Sequence, residues 1–167
     1  MLAKGTKIVD AVALQRSIKR IAYQVYESAI DETEIVIIGV ETQGNILSKL
    51  LGNSLKKISD KTVVYVNLTL DKTNPLGSIQ SSVPLTELEN KSLVIVDDVL
   101  NTGSTLMYAV SFFISIPVKQ IKTAVVVNRN HKNFPIKADF KGISLSTSVN
   151  EHIAVILEGN QKGVYLN

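Results

Sequence analysis

Residues 93–105 read LVIVDDVLNTGST, and the order of residue types in this stretch decides the fold class. Residues 93–96 are an unbroken apolar run, the pattern of a strand covered on both faces in a parallel sheet. The run ends in two adjacent carboxylates, Asp97 and Asp98. Asn101, Thr102, Gly103, Ser104 and Thr105 follow, and then a helical segment over residues 105–116. A helix N-terminus offers unpaired backbone N–H groups and a partial positive charge, both of which attract a phosphate. Gly103 lets the backbone approach an anion closely, and the hydroxyls of Thr102, Ser104 and Thr105 can donate to its oxygens. The two acids stand at the carboxyl end of the strand, where open α/β sheets bind ligands, and can accept hydrogen bonds from neighbouring sugar hydroxyls. The stretch therefore implies a site for a phosphorylated sugar.

Two other roles share parts of this pattern. An apolar strand ending in Asp-Asp also describes the magnesium-binding strand of P-loop nucleotidases, which require G-x-x-x-x-G-K-[ST] as well. The nearest stretch, residues 39–46 (GVETQGNI), has both glycines but carries Asn45 and Ile46 where the lysine and hydroxyl belong. A turn-capping role suits Asp98 alone and leaves the rest of the pattern unexplained.

Outward from this stretch, apolar periods alternate as in a parallel α/β sheet. Ile18, Ile21, Ala22, Val25 and Ala29 recur at helical spacing and predict a helix over residues 12–29 with Asp10 as N-cap. Residues 34–40 predict a buried strand, 41–44 a short loop, 45–58 a second helix and 62–70 another strand. Residues 71–83, with Asn74-Pro75, Gly77 and Ser81-Ser82, have the composition of a mobile loop. A strand at 121–127 follows the third helix. Residues 128–167 break the alternation, with strand-like runs at 153–157 and 164–166. The expectation is a single α/β domain over residues 1–167 with a small hood at about 128–167.

Composition narrows the chemistry. The chain has 167 residues, 45% hydrophobic and 20% charged, with no cysteine; disulfides, thiolate metal sites and thiol nucleophiles are thereby excluded. His131 and His152 lie too far apart in sequence to suggest a zinc pair. A net charge of +3 suits an anionic ligand and is weaker than that of a dedicated nucleic-acid binder. The longest nearly apolar stretch, residues 109–118, contains Ser111, Ser115 and Pro117, so no membrane span is expected. The first residues lack the apolar core of a signal peptide, which makes the cytoplasm the expected location.

Residues 94–105, VIVDDVLNTGST, resemble the 5-phosphoribosyl 1-diphosphate (PRPP) signature of the type I phosphoribosyltransferases. The resemblance extends to QRSIKRIA at 15–22 and to VNRNHKNFPI at 127–136 with Ala138-Asp139. The latter is similar to the V-D-R-G-H-R-x-L-P-I-R-A-D segment of the pyrimidine operon regulator and uracil phosphoribosyltransferase family. It ends at Thr147-Ser148-Val149-Asn150-Glu151, similar to that family's T-S-x-x-E. It implies a type I phosphoribosyltransferase fold, a mostly parallel central sheet flanked by helices with a small C-terminal hood. It also implies transfer of the phosphoribosyl group from PRPP to a nucleobase, uracil first, with Mg²⁺ on the diphosphate.

Carried onto this chain, the resemblance gives Asp97 and Asp98 the ribose hydroxyls and a position beside the reacting carbon. They would also hold Mg²⁺ through water or substrate. Asn101, Thr102, Gly103, Ser104 and Thr105 take the 5′-phosphate. Glu41, Thr42, Gln43 and Gly44 form the pyrophosphate loop, where uracil-type members read K-T-R-G. Gln43 cannot supply the bidentate grip of arginine, and Glu41 repels diphosphate. The loop at 71–83 would close over PRPP. It is shortened after Thr69-Leu70, and Lys72 is the candidate to replace the missing cation. Arg129, Asn130, Phe134, Pro135 and Ile136 are placed near the base. Arg20, His131 and Lys132 match the family's RNA-binding face, with Tyr23 where a histidine is common. A homodimer or larger homo-oligomer is implied. Two alternatives stay open: a weakly catalytic nucleotide- or PRPP-sensing regulator that binds RNA, and a transferase for another base.

Overall fold

Why the chain folds as it does is clearest in its first helix. The structure, a computed structural model, describes residues 5–167; residues 1–4, part of the amino-terminal stretch read for a signal peptide, lie outside the described residues. After β1 (Thr6–Val9), helix α1 (Ala11–Ser28) is capped by Asp10, whose Oδ1 accepts from the Ala13 N–H at 2.8 Å. Leu14, Ile18, Ile21, Ala22 and Val25 form its buried stripe. At about 1.5–3 kcal/mol for each large apolar side chain, such a stripe outweighs any intrinsic helix propensity.

Strand β2 (Glu34–Val40) leads to α2 (Gln43–Ile58), β3 (Thr62–Thr69) and the short β4 (Gln80–Ser81). A 3-10 turn at Leu85–Leu88 precedes β5 (Ser92–Leu100), α3 (Ser104–Phe113), β6 (Gln120–Arg129) and β7 (Phe140–Leu145). Strands β8 (Ile153–Ile156) and β9 (Gly163–Leu166) complete the chain. The main sheet has six strands in the order β4-β3-β2-β5-β6-β7, all parallel except for the β3–β4 pair.

Side chains of the central strands alternate between two cores. Ile35 and Ile37 of β2 and Val94 and Val96 of β5 pack with α1 and α2. Val36, Ile38, Leu93 and Ile95 pack with Leu106, Ala109 and Phe113 of α3 on the other face. A strand apolar at every position needs both covers, which is why the apolar runs in the sequence are continuous. Among the described residues no helix is long and apolar enough to cross a membrane.

Three features differ from the sequence reading. Strand β5 does not stop before the acids; its pairing with β6 continues to Leu100↔Asn128, so Asp97 and Asp98 lie within the strand. Residues 128–167 do not form the hood by themselves, because β7 extends the main sheet beside β6. The hood is a separate antiparallel sheet of three strands, β1-β9-β8, in which Thr6 pairs with Leu166 and Ile153 with Leu166 on the other side.

Candidate functional site

Helix α3 needs a tight entry from β5, and Gly103 provides it. Its φ of +87° is a left-handed conformation, and a Cβ there would sit 2.7 Å from Ile136 Cγ2. Thr102 is anchored on both sides of this turn. Its carbonyl accepts from the N–H groups of Asn133 (2.8 Å) and Phe134 (3.1 Å), and its Oγ1 accepts from Ser104 N–H at 3.3 Å. The Gly103 carbonyl takes the first helical bond, from Met107 N–H at 2.9 Å. Among the described residues, the N–H groups of Thr105 and Leu106 have no partner in the chain and remain available to an anion.

A cavity of about 430 Å³ opens beside this turn, lined by Asp97, Asp98, Asn101, Thr102, Gly103 and Thr105, with Lys72 across from the acids. Five of the sequence-predicted phosphate and ribose residues thus share one wall with the second carboxylate. Ser104 alone of that set stays off the lining and begins the helix.

Asp97 is 2% exposed. Burial pushes its carboxyl up to about 7; the Lys72 ammonium opposes that shift, and the neighbouring Asp98 carboxylate adds to it. Lys72 Nζ holds both carboxylate oxygens, at 3.0 and 3.1 Å. Asp97 Oδ1 also accepts the Asp98 N–H, and Asp98 Oδ1 the Val99 N–H, each at 2.9 Å. The strand therefore holds two carboxylates in fixed positions on the lining that they share with the Thr102–Thr105 turn.

The predicted pyrophosphate loop lies next to these groups but off the cavity lining. Gln43 and Gly44 belong to the first turn of α2, which begins two residues earlier than the periodicity predicts. A Cβ on Gly44 would meet the Val96 carbonyl at 2.5 Å, so only glycine lets this turn press on β5 just ahead of the acids. The Glu41–Thr42 peptide is cis. Gln43 Oε1 is buried and without a hydrogen-bond partner among the described residues.

The residues expected near the base divide. Arg129 lines the 430 Å³ cavity and, with Asn130, a neighbouring one of about 510 Å³. It is 4% exposed and organises the hood: Nε and Nη2 donate to Thr147 Oγ1 at 3.0 and 2.8 Å, and Nη2 also to the carbonyls of Ser148 and Glu151. Asn130 Nδ2 donates to Ser146 Oγ at 2.7 Å. Phe134, Pro135 and Ile136 line neither cavity. Phe134 instead meets the Tyr108 ring edge-on at 6.2 Å, and Ile136 packs against the α3 core and the Gly103 turn. Phe134 and Ile136 thereby brace the turn at Gly103.

Of the residues matched to an RNA-binding face, Arg20 donates to the carbonyls of Lys141 and Gly142, and His131 Nε2 is bonded to the Thr147 carbonyl. Lys132 lines the 510 Å³ cavity. Two hood residues that sequence reasoning missed, His152 and Ile153, line the 430 Å³ cavity. The one available signal was the T-S-x-x-E match, which stops one residue short of them.

Comparison with known proteins agrees with this fold. The family model described as "Phosphoribosyl transferase domain" matches residues 5–158. The "Bifunctional protein PyrR" of Streptococcus thermophilus is 33% identical over 158 residues, covering 92% of this chain and 91% of the relative. The protein of the same name from Enterococcus faecalis is 32% identical over 160 residues, covering 91% and 89%. Among solved structures, the hypoxanthine phosphoribosyltransferase of Trypanosoma cruzi superposes with a TM-score of 0.81 at 14% identity, covering 96% and 95% of the two chains. A hypoxanthine-guanine phosphoribosyltransferase from Bacillus anthracis gives 0.76 at 17%, covering 97% and 96%. Identities this low carry the fold alone. With the family model spanning residues 5–158 and a third of the sequence shared along nine-tenths of the chain, the protein belongs to the type I phosphoribosyltransferases.

Proposed function

We propose that the protein transfers the 5-phosphoribosyl group of PRPP to a nucleobase, with uracil the first candidate, and releases pyrophosphate. The observation that carries this reading is the single cavity in which Asp97 and Asp98 face the Thr102–Gly103–Thr105 turn at the N-terminus of α3. The turn would hold the 5′-phosphate through free N–H groups and hydroxyls, supplying remote binding energy that fixes the ribose over the acids. The two carboxylates would accept from the ribose hydroxyls. As the bond from C1 to the diphosphate breaks, with its electron pair leaving on oxygen, their negative charge lies beside the oxocarbenium-like centre. The base nitrogen then bonds to C1 and gives its proton to the departing diphosphate, which leaves with it as pyrophosphate. No protein nucleophile is needed.

The donor set fits magnesium only in a particular way. Among the described residues no cluster of three or more metal-ligating side chains occurs. Mg²⁺ keeps several waters and readily binds through one or two carboxylates and substrate phosphates. Asp97 and Asp98 would thus hold it together with water and substrate oxygens, and it would neutralise charge on the leaving diphosphate.

Uracil is favoured by the resemblance of residues 127–139 to the pyrimidine family. A second reading, a nucleotide- or PRPP-sensing regulator that binds RNA, is favoured by Gln43, whose neutral amide stands where the uracil-type loop has a cation. One assay tests both: Mg²⁺-dependent formation of nucleotide from PRPP with uracil, hypoxanthine and guanine, with Asp98→Ala as control. Turnover with uracil that disappears in the variant supports the transferase. PRPP binding without turnover on any base favours the regulator, and absence of both binding and turnover refutes the site.

A further inference from the structure

The ribose cavity has a wall that the phosphate turn and the acids do not supply. Beyond Arg129 at the end of β6, the hood contributes two side chains to it, His152 and Ile153. His152 also lines the adjoining 510 Å³ cavity, so the residue borders both. The backbone there is held fast. His152 N–H donates to the Asn167 carbonyl at 3.0 Å, and its carbonyl accepts from Asn167 N–H at 2.9 Å. Both main-chain groups are consumed by the strand pairing, and only the side chain can address a ligand. The imidazole is exposed and makes no hydrogen bond among the described residues. Ile153 is half-buried, its apolar body packed on the α1–α2 core.

These placements decide among the candidates for contacting a base. A nucleotide whose phosphate occupies the α3 turn and whose hydroxyls reach the acids must project its base away from both, toward the hood. Of the two polar side chains met there, Arg129 is anchored to Thr147, Ser148 and Glu151. His152 is uncommitted. A neutral imidazole carries one donor and one acceptor, the pairing that a base edge of alternating C=O and N–H groups requires. We infer that His152 reads the edge of the base by its side chain, while Ile153, turned to the core, anchors the strand that carries it. Residues 134–136, which the sequence match places near the base, are not among the residues that line either cavity. The inference rests on the proposed phosphoribosyl site and names the specificity-determining residue within it.

The test uses ligand binding, which does not depend on turnover. Affinities of ribose 5-phosphate, UMP and GMP are measured by calorimetry at pH 8 for the wild-type protein, His152→Ala and His152→Gln. The expected result is that the better-bound nucleotide loses about tenfold in affinity in His152→Ala, the worth of one hydrogen bond. Ribose 5-phosphate should stay unchanged, and Gln should restore most of the loss. Equal losses for nucleotide and ribose 5-phosphate, or no loss for the nucleotide, overturn the inference. If the wild-type protein binds ribose 5-phosphate but neither nucleotide more tightly, the inference fails while the sugar-phosphate site stands. If ribose 5-phosphate does not bind at all, both fail.

Discussion

Replacing Lys72 by methionine should move the pH dependence of sugar-phosphate binding toward alkali. At 3.0 Å, the Lys72–Asp97 attraction is about 1.4 kcal/mol in bulk water and about 5.5 kcal/mol at an effective dielectric of about 20. Lys72 is 40% exposed and Asp97 3%, so solvent screening leaves about 2 kcal/mol for the pair. At about 1.4 kcal/mol per pH unit, losing it moves the Asp97 titration upward by about 1.5 units. In the wild-type protein burial already raises that carboxyl to about 7. A protonated Asp97 gives up an acceptor that the ribose hydroxyls need, so ribose 5-phosphate should bind more tightly as pH rises through that value. In Lys72→Met the same rise should come about 1.5 pH units later. Binding should be weaker than wild type at pH 7, and equal or tighter at pH 9, where no ammonium competes for the carboxylate. Calorimetric titration of both proteins from pH 6 to 9 measures this, and the ligand's own phosphate titration cancels in the comparison. An unchanged or lowered midpoint would refute the reasoning. A defect confined to PRPP, with ribose 5-phosphate unaffected, would instead place Lys72 on the pyrophosphate.

Two further predictions concern the same wall. Because Asp97 titrates above its ordinary value in the folded protein, its contribution to stability is complete at acid pH and is lost as pH rises through about 7. Asp97→Asn should therefore raise Tm by several degrees at pH 8, by less at pH 5, and change it little only near pH 4, where the unfolded carboxyl is itself protonated; it should also abolish ribose 5-phosphate binding, and a lower Tm at pH 8 would contradict the burial argument. Gly103→Ala combines a left-handed φ with a Cβ 2.7 Å from Ile136, at a cost of about 1–3 kcal/mol. Thermal denaturation should show a Tm lower by several degrees, with ribose 5-phosphate binding impaired more than stability alone explains.

What could be read from residues alone followed the range of the interactions. The α1 N-cap is a local bond between Asp10 and Ala13, and the apolar runs of β2 and β5 are covered on both faces, so each left its mark in adjacent residues. The acid pair and the Gly103 turn are likewise contiguous. Strand β1 left no such mark: residues 6–9 are mostly exposed, and what makes them a strand is pairing with β9 at the far end of the chain. Strand β7 was missed for a related reason. It lies at the sheet edge, half-buried along most of its length, and Gly142 interrupts its pattern. Phe134, Pro135 and Ile136 were placed by a family match rather than by chemistry. Their packing against Tyr108 and Gly103 is a tertiary fact with no local signal. His152 went unread because a lone histidine after a short motif says nothing of the cavities on either side of it.

The pairing of Thr6 with Leu166 also sets an order of events during synthesis. The parallel strands β2, β3, β5 and β6 can associate once residue 129 has left the ribosome, bringing the acids and the phosphate turn together. Strand β1, which precedes the other described strands, has no partner until β9, which follows them, emerges beside it, and that long closure is slow compared with contacts nearer in sequence. The wall carrying His152 and Ile153 leans on this late sheet through the β8–β9 ladder. A nascent chain therefore acquires its sugar-phosphate cradle before its base-side wall, and a truncated one would keep the first without the second.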